Sequence, residues 1–191
     1  MRIGIFIAIL LLTSVGLSAE KYLTVEQARK IAFPNATRFE EQTLRFSAEQ
    51  RAAIEKKSGV PVKVEGNKVT YAYEDARLLG VLFVDHVLGK HEIIDYGVAI
   101  SPEGQVLGIE ILEYRESYGY EIRGAKWRKQ FVGKKPNAPL RLNKDIYNIS
   151  GATMSCRHVT EGTRRVLATF DLLCRPKLVA GGVRDSETAA N

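Results

Sequence analysis

Cysteine, proline and long hydrophobic runs are scarce in this chain of 191 residues. Two cysteines cannot build a disulfide-dense scaffold or a metal site of four thiolates. Six prolines and 16 glycines exclude a collagen-like composition. Beyond residue 20, no apolar run is long enough to cross a lipid bilayer as a helix. The 45% share of hydrophobic residues excludes a disordered chain and indicates one globular core of ordinary size.

The N-terminal residues have the pattern of a secretory signal peptide. Arg2 is followed by an apolar run over residues 3–12, and small residues then lead to Ala19 before the charged Glu20. An uncleaved membrane anchor is the alternative, because the run to Ala19 reaches the low end of membrane-spanning length. We expect residues 1–19 to be a signal peptide. The mature chain would then be extracytoplasmic, in the periplasm or the cell envelope, with or without association with the membrane.

Helix-start and helix-stop residues predict two helices in the first third of the chain. Residues 24–27 (TVEQ) and 47–50 (SAEQ) both have the spacing of a capping box. Pro34 is placed to end the first helix, and Gly59 is placed to end the second. We therefore predict an accessory helical segment over residues 20–67.

Alternating apolar residues predict strands after the first two helices. Patterns of period two on either side of a turn at residues 65–68 predict a hairpin over residues 60–73. The apolar run 78–88 is typical of a central strand. A strong turn sequence at residues 101–104 predicts a second hairpin over residues 96–112.

The last third of the chain predicts one long helix. Apolar residues from Val159 to Leu173 have helical spacing, which favours an amphipathic helix that begins near Ser155 and ends before Pro176. Together with the strands, this indicates an α+β fold with an antiparallel sheet and packed helices. We predict the main domain over residues 68–179 and a flexible tail over residues 180–191.

Three hydroxyl residues surround two small residues where the last helix begins, in the sequence SGATMS of residues 150–155. A helix start presents unpaired N–H groups and a partial positive charge, which favour a phosphate. Small residues there let a bulky group approach the backbone. From the residues alone, the simpler interpretation is that Thr153 or Ser155 caps the helix.

Residues 150–153 (SGAT) resemble the flavinylation signature of the FMN-binding domain family. That family includes the covalently flavinylated subunits of the sodium-pumping NADH:quinone oxidoreductase and of Rnf-type complexes. Its motif threonine is esterified to the FMN phosphate by a dedicated flavin transferase. The resemblance therefore implies FMN as cofactor, Thr153 as its attachment residue and a flavin transferase as partner. Since a threonine hydroxyl is a poor nucleophile unaided, the activating base and metal would come from the transferase.

A second match precedes the first in the order found in the family. Residues 115–119 (RESYG) resemble the family's acidic-hydroxyl-x-Gly turn, which also follows a hairpin. The resemblance covers roughly residues 89–173 and implies that Glu116 hydrogen-bonds the flavin or its ribityl chain; a solvated loop acid is the alternative. The predicted cofactor-binding residues are Thr153, as the covalent site, with Ser150, Gly151, Ala152, Ser155, Glu116, Ser117, Tyr118 and Gly119.

Two positions depart from the family pattern. Tyr147 stands where the family often has an acidic residue, and the nearest acid is Asp145. If the transferase reads that acid, Thr153 would be modified slowly or only by a matched transferase. Cys156 stands where the family often has serine or threonine. Cys156 and Cys174 lie about 27 Å apart if they share one straight helix, which is too far for a disulfide.

Aromatic and basic residues alternate over residues 118–135, and several functions are compatible with them. Tyr118, Tyr120, Trp127 and Phe131 are candidates to flank the isoalloxazine ring, although isolated aromatics more often lie in the core. Interleaved basic residues suit single-stranded nucleic acid, but an exported protein rarely meets it, so we expect no nucleic-acid partner. A docking face for an acidic redox partner or a plain solvated surface fits better. The basic residues are Arg123, Lys126, Arg128, Lys129, Lys134 and Lys135.

These features predict an exported flavoprotein with FMN on Thr153 that relays electrons between the membrane and extracytoplasmic redox proteins. It would be an electron-transfer flavoprotein rather than a stand-alone enzyme. One alternative is a flavin-dependent reductase of a small substrate, with acid–base groups such as Tyr120, Glu121 and His158 beside the ring. The other is a non-catalytic envelope interaction module in which Thr153 only caps a helix. His86, His91 and His158 lack metal-ligand spacing, so we propose no metal site.

Overall fold

A computed structural model describes residues 20–178 of the chain. The signal peptide predicted for residues 1–19 and the flexible tail predicted for residues 180–191 lie outside the described residues. Within residues 20–178, no helix is both long enough and apolar enough to cross a membrane.

A six-stranded antiparallel sheet forms the centre of the structure. The order across the sheet is β1-β6-β5-β4-β3-β2, so that β2 to β6 follow one another as neighbours and β1 adds to the far edge. This confirms the predicted α+β class with an antiparallel sheet. The strands are β1 (Glu20–Lys21), β2 (Arg38–Arg45), β3 (Gly66–Glu74), β4 (Arg77–Leu88), β5 (Ile93–Ile100) and β6 (Val106–Tyr114).

The helices cover both faces of the sheet. They are α1 (Val25–Ala32), α2 (Ala48–Ser58), the short α3 (Ala125–Arg128) and α4 (Thr153–Thr169). Helices α2 and α4 pack on one face, where Phe83 of β4 belongs to the larger core cluster. Helix α1 packs on the other face, where Leu82 belongs to a smaller cluster with Ala28 and Phe33. Successive residues of a strand point to opposite faces, so β4 supplies both cores.

Both predicted capping boxes are present. The Thr24 hydroxyl accepts a hydrogen bond from the Gln27 N–H at 3.1 Å, and the Ser47 hydroxyl accepts one from the Gln50 N–H at 3.2 Å. Gly59 ends α2 in the left-handed conformation, with φ of 64°. The second hairpin, β5 and β6 about the turn at residues 101–104, also forms as predicted.

The predicted hairpin over residues 60–73 is wrong. Residues 60–65 form no strand, and β3 pairs instead with β2, from Arg38 opposite Tyr73 to Arg45 opposite Gly66. The segment 20–67 is therefore not wholly helical, because it contributes an edge strand to the sheet. Of the eight residues of β2 only Leu44 is buried, so this strand carries almost no hydrophobic pattern.

The last helix also differs from the prediction. It begins at Thr153, two residues earlier than expected, and its helical path continues to residue 178 instead of ending before Pro176. A π-helical turn over Phe170–Cys174 lies between α4 and this last stretch. Pro176 lacks the N–H that a regular α-helix needs, and a widened turn just before it changes which carbonyls must be satisfied.

A buried polar network joins α4 to the sheet. Asp85 of β4 is 1% exposed, and its Oδ2 accepts hydrogen bonds from the Tyr96 hydroxyl and from Arg165 Nη2, both at 2.7 Å. Asn67 Nδ2 donates to the other carboxylate oxygen at 3.2 Å. Burial, followed by the charge of Asp85, raises the pKa of Tyr96 well above its ordinary value. Tyr96 therefore stays a neutral donor, and the charged pair is Asp85 with Arg165.

Replacing Asp85 with alanine should lower the free energy of unfolding by about 3–5 kcal/mol, because Arg165 would keep a buried charge without its anion. The matched control is Glu41→Ala, which removes the partner of Arg29 from a pair whose glutamate side chain is 70% exposed. That change should cost less than about 1 kcal/mol. Urea unfolding of both variants checks the difference, and equal losses would contradict it.

Candidate functional site

A cleft of about 570 Å³ lies where three segments meet. These are the β4–β5 connection at residues 90–92, the turn after β6 at residues 115–118, and the start of α4 at residues 151–155. The volume is within the range of small-molecule sites. Both motifs that suggested a flavin site therefore line one cleft, although they are more than 30 residues apart in sequence.

The predicted cofactor residues have different places around this cleft. Glu116, Ser117, Tyr118, Gly151, Ala152, Thr153 and Ser155 line it, whereas Gly119 and Ser150 are not among its lining residues. Three lining residues, Lys90, His91 and Glu92, were not predicted from the sequence. Gly89 just before them is the sequence signal that marked this connection as a tight turn.

Gly119 lies directly against Ala152, and this contact holds the turn to the helix. A Cβ on Gly119 would lie 2.7 Å from the Cβ of Ala152 and 2.7 Å from the Tyr114 hydroxyl. The φ angle of Gly119 is also positive, at 86°. A larger residue here would therefore be both strained and too close to its neighbours.

The Tyr114 hydroxyl links the same two segments by hydrogen bonds. It donates to the Tyr118 carbonyl at 2.6 Å and lies 3.1 Å from Ser155 Oγ, which then donates to it. Ser155 is only 3% exposed, so its hydroxyl supports the cleft wall from behind. Burial is the main cause that raises the pKa of Tyr114 above its ordinary value, and the phenol remains protonated.

Glu116 stabilises the neighbouring turn through its carboxylate. Oε1 accepts hydrogen bonds from the backbone N–H groups of His91 at 2.6 Å and Glu92 at 3.0 Å. Partial burial raises the pKa of Glu116, but these backbone donors outweigh it and keep the pKa below its ordinary value. A Cβ on Gly89 would lie 2.5 Å from Oε1, so glycine is what lets the carboxylate approach. Glu116 is thus neither a freely solvated acid nor an unengaged flavin ligand.

Helix α4 starts without a side-chain cap. Its N-cap residue is Ala152, and no side chain bonds to the first-turn N–H groups, so the interpretation of Thr153 or Ser155 as a cap is wrong. Instead, Thr153 Oγ1 accepts a hydrogen bond from Asn148 Nδ2 at 2.9 Å. Unpaired N–H groups and the partial positive charge at such a start favour an anion in the cleft.

The aromatic candidates separate into buried and exposed residues. Trp127 and Phe131 are 4% and 0% exposed, with their ring centroids 5.0 Å apart in the core, so they cannot flank a ring in the cleft. Tyr118 is 81% exposed and lines the cleft. Tyr120 and Tyr147 are also largely exposed but do not line it.

Half of the predicted basic stretch is used by the fold. Arg128 pairs with Glu110 and donates to the Ile109 carbonyl at 2.7 Å. Arg123 stacks 3.7 Å above the ring centre of Tyr22, and Lys134 pairs with Asp145 at 2.9 Å. The residues of this stretch that stay fully exposed are Lys126, Lys129 and Lys135.

Neither cysteine is a reactive group. Both are unpaired and buried, and burial raises the pKa of the Cys156 thiol to about 11. Cys156 therefore stays protonated near neutral pH. Over residues 20–178, no group of three or more histidine, cysteine or acidic residues is arranged to hold a metal ion.

Comparison with known proteins gives a family and a fold. Residues 89–168 match the family model described as FMN-binding domain. The chain is 27% identical over 113 residues to one of the subunits of the proton-translocating ferredoxin:NAD(+) oxidoreductase complex of Clostridium ljungdahlii. That alignment covers 55% of this chain and 61% of the relative, so the chain spans less than two thirds of the relative's length.

Two solved structures have a similar fold. NqrC of Shewanella oneidensis superposes with a TM-score of 0.57 at 18% identity, over 82% of this chain and 90% of that one. The corresponding protein of the Na(+)-translocating NADH-quinone reductase of Parabacteroides distasonis gives a TM-score of 0.52 at 14% identity, over 78% and 82%. At these identities the likeness concerns the fold alone.

Replacing Gly119 with alanine should destabilise the chain more than replacing Gly151 does. Both glycines have φ of 82–86°, but a Cβ on Gly151 would meet no atom within 4 Å. Gly151→Ala therefore reports the backbone strain alone, about 1–2 kcal/mol, whereas Gly119→Ala adds overpacking of about 1–3 kcal/mol. Urea unfolding of the pair measures the difference; equal stabilities would show that the contact with Ala152 does not hold the turn.

Proposed function

With an FMN-binding domain established over residues 89–168, and FMN thereby confirmed as the predicted cofactor, we propose that this chain carries FMN covalently on Thr153 and relays electrons between redox proteins. The attachment would be a phosphoester at Thr153 Oγ1. FMN supplies the redox chemistry when bound, by accepting and donating one or two electrons. The protein supplies attachment, orientation and surroundings.

The start of α4 is the observation that carries this proposal. Its N–H groups have no side-chain cap, and Thr153 is the hydroxyl residue of the SGAT motif that lines the cleft. Gly151 leaves open space beside it. These residues fit a phosphate on Oγ1 with the rest of the group along the cleft of about 570 Å³.

The surroundings of Thr153 also support the need for a flavin transferase. Oγ1 is bonded to the Asn148 amide, and among residues 20–178 no carboxylate or imidazole is bonded to it. An amide cannot remove the hydroxyl proton, so the base that activates Oγ1 has to come from another protein. Asp145, the acid nearest in sequence to the position of Tyr147, is held by Lys134 and by the backbone of Leu140 and Arg141.

The electron-relay role fits the site better than a small-molecule reductase does. The reductase would need Tyr120, Glu121 and His158 beside the ring, but none of them lines the cleft. His158 Nδ1 contacts the Leu88 carbonyl instead. The interaction module with Thr153 as a helix cap has lost its premise, because the cap is absent.

We place this relay outside the cytoplasm, with residues 1–19 as the export signal. Support comes from the start of the fold, since β1 begins at Glu20, directly after the proposed cut at Ala19. Cleavage there would leave the whole sheet intact. The donor and the acceptor would be proteins of the membrane or the envelope.

Intact-mass spectrometry tests the covalent link. The wild-type protein, purified from cells with a flavin transferase, should gain the mass of one FMN less one water and stay yellow after denaturation. Thr153→Ala should lose both signals because no oxygen remains to be esterified, and Thr153→Ser should keep them. Thr43→Ala, which removes an exposed threonine hydroxyl on β2, is the control and should behave as wild type. A flavin that persists in Thr153→Ala, or a wild-type chain without added mass, would contradict the proposal.

Asn148→Ala should slow flavin transfer about fivefold, the equivalent of one hydrogen bond of about 1 kcal/mol. The amide holds Thr153 Oγ1 in one rotamer, and without it the hydroxyl samples others. The rate of mass gain with purified transferase measures this, with kcat expected to fall and KM to stay constant. Asn137→Ala, at another exposed asparagine, is the control. Equal rates in both variants would show that Asn148 has no positioning role.

A further inference from the structure

Two adjoining cavities form a long groove beside α4, separate from the cleft. Their volumes are about 820 and 400 Å³, and both are lined by Lys63, Val64 and His86. We call them together the basic groove. The larger cavity lies at the ends of β2 and β3 near α2, and the smaller one runs along α4 to His158 and Arg165.

Basic side chains dominate the lining of this groove. Its acidic lining residues are Glu65 and Glu161. The basic ones come from four separate parts of the chain, namely β2, α2, the segment around β3 and α4. They are Arg45, Arg51, Lys63, Lys68 and Arg165, together with the histidines His86 and His158.

Four of these cations are not neutralised by the protein. Within the described part of the chain, no ion pair or side-chain hydrogen bond involves Arg45, Arg51, Lys63 or Lys68. Elsewhere most arginines are paired: Arg29 with Glu41, Arg115 with Asp95 and Glu113, and Arg175 with Asp171. The groove therefore concentrates the uncompensated positive charge of this face.

Arg165 adds a buried donor to the groove wall. Its side chain is 10% exposed, and while Nη2 bonds to Asp85, the buried Nε has no hydrogen-bond partner. A buried donor without a partner is uncommon in native proteins. The same wall is partly apolar, with Val60 and Val87 between the charges.

The groove also lies next to the flavin cleft. Leu88 and Ile93 line the groove, while the residues between them, Lys90 to Glu92, line the cleft. On α4, His158 of the groove follows Ser155 of the cleft within one helical turn. A protein bound in the groove would therefore cover the region of Thr153.

We propose that the basic groove docks an acidic segment of a partner protein, which on the proposed function is the redox partner. Charges spread along a groove with apolar residues between them fit an extended acidic and apolar peptide segment. A small anion would instead need donors that converge on one point. Complementary charge would speed the encounter and place the partner beside the cleft.

Binding of a synthetic peptide of alternating aspartate and leucine tests the docking surface on the unflavinylated Thr153→Ala chain. Fluorescence anisotropy should give a Kd that rises with ionic strength. The double variant Arg45→Glu, Lys63→Glu should raise that Kd about tenfold or more. The matched control Lys126→Glu, Lys129→Glu makes the same charge change on the predicted basic stretch and should alter the Kd less than about twofold.

Amide NMR shifts on titration with the peptide locate the binding and should concentrate at the groove. No binding, an equal loss in both double variants, or shifts elsewhere would overturn the proposal. Stronger groove shifts with inorganic pyrophosphate or with phosphatidylglycerol vesicles than with the peptide would also overturn it, in favour of a small anion or a membrane. Because these measurements use a chain without flavin, they succeed or fail independently of the link at Thr153.

Discussion

The contact between Gly119 and Ala152 is the constraint on which the candidate site depends. It brings the turn after β6 against the first turn of α4, and Tyr114 adds hydrogen bonds on both sides of the contact. Without it, the residues on the two sides of the cleft would belong to unconnected loops. The cleft is therefore a product of close packing between two backbone segments more than of the residues that line it.

Helix α4 connects this cleft to the rest of the molecule. Its first turn carries Thr153, and Arg165, about 18 Å further along at 1.5 Å per residue, is anchored to Asp85 in the sheet. The buried pair sets the position of the helix along the sheet, and the position of the helix sets where Thr153 lies. The proposed flavin attachment and the proposed docking surface therefore share one rigid element, which would keep a bound partner at a constant distance from the flavin.

Local signals were predicted well from the sequence, because they depend on residues close together in the chain. Capping boxes at Thr24 and Ser47 and the turn at residues 101–104 are of this kind. The edge strand β2 was missed because only Leu44 of its residues is buried. The apolar residues Val60 and Val62 suggested a strand, but they enter the core from an irregular segment. An alternating pattern records burial, and burial does not require a strand.

The sequence by itself determined the class of fold, the FMN-binding domain and the hydroxyl residue proposed to hold the flavin, since each rests on a short motif or a local period. Only the tertiary structure decided that Glu116 holds the turn at residues 90–92, that Trp127 and Phe131 are core residues, and that α4 begins without a cap. It also decided which basic residues stay unpaired. Such roles depend on partners distant in the chain, and the distance between two residues in space is set by packing, which no local pattern records.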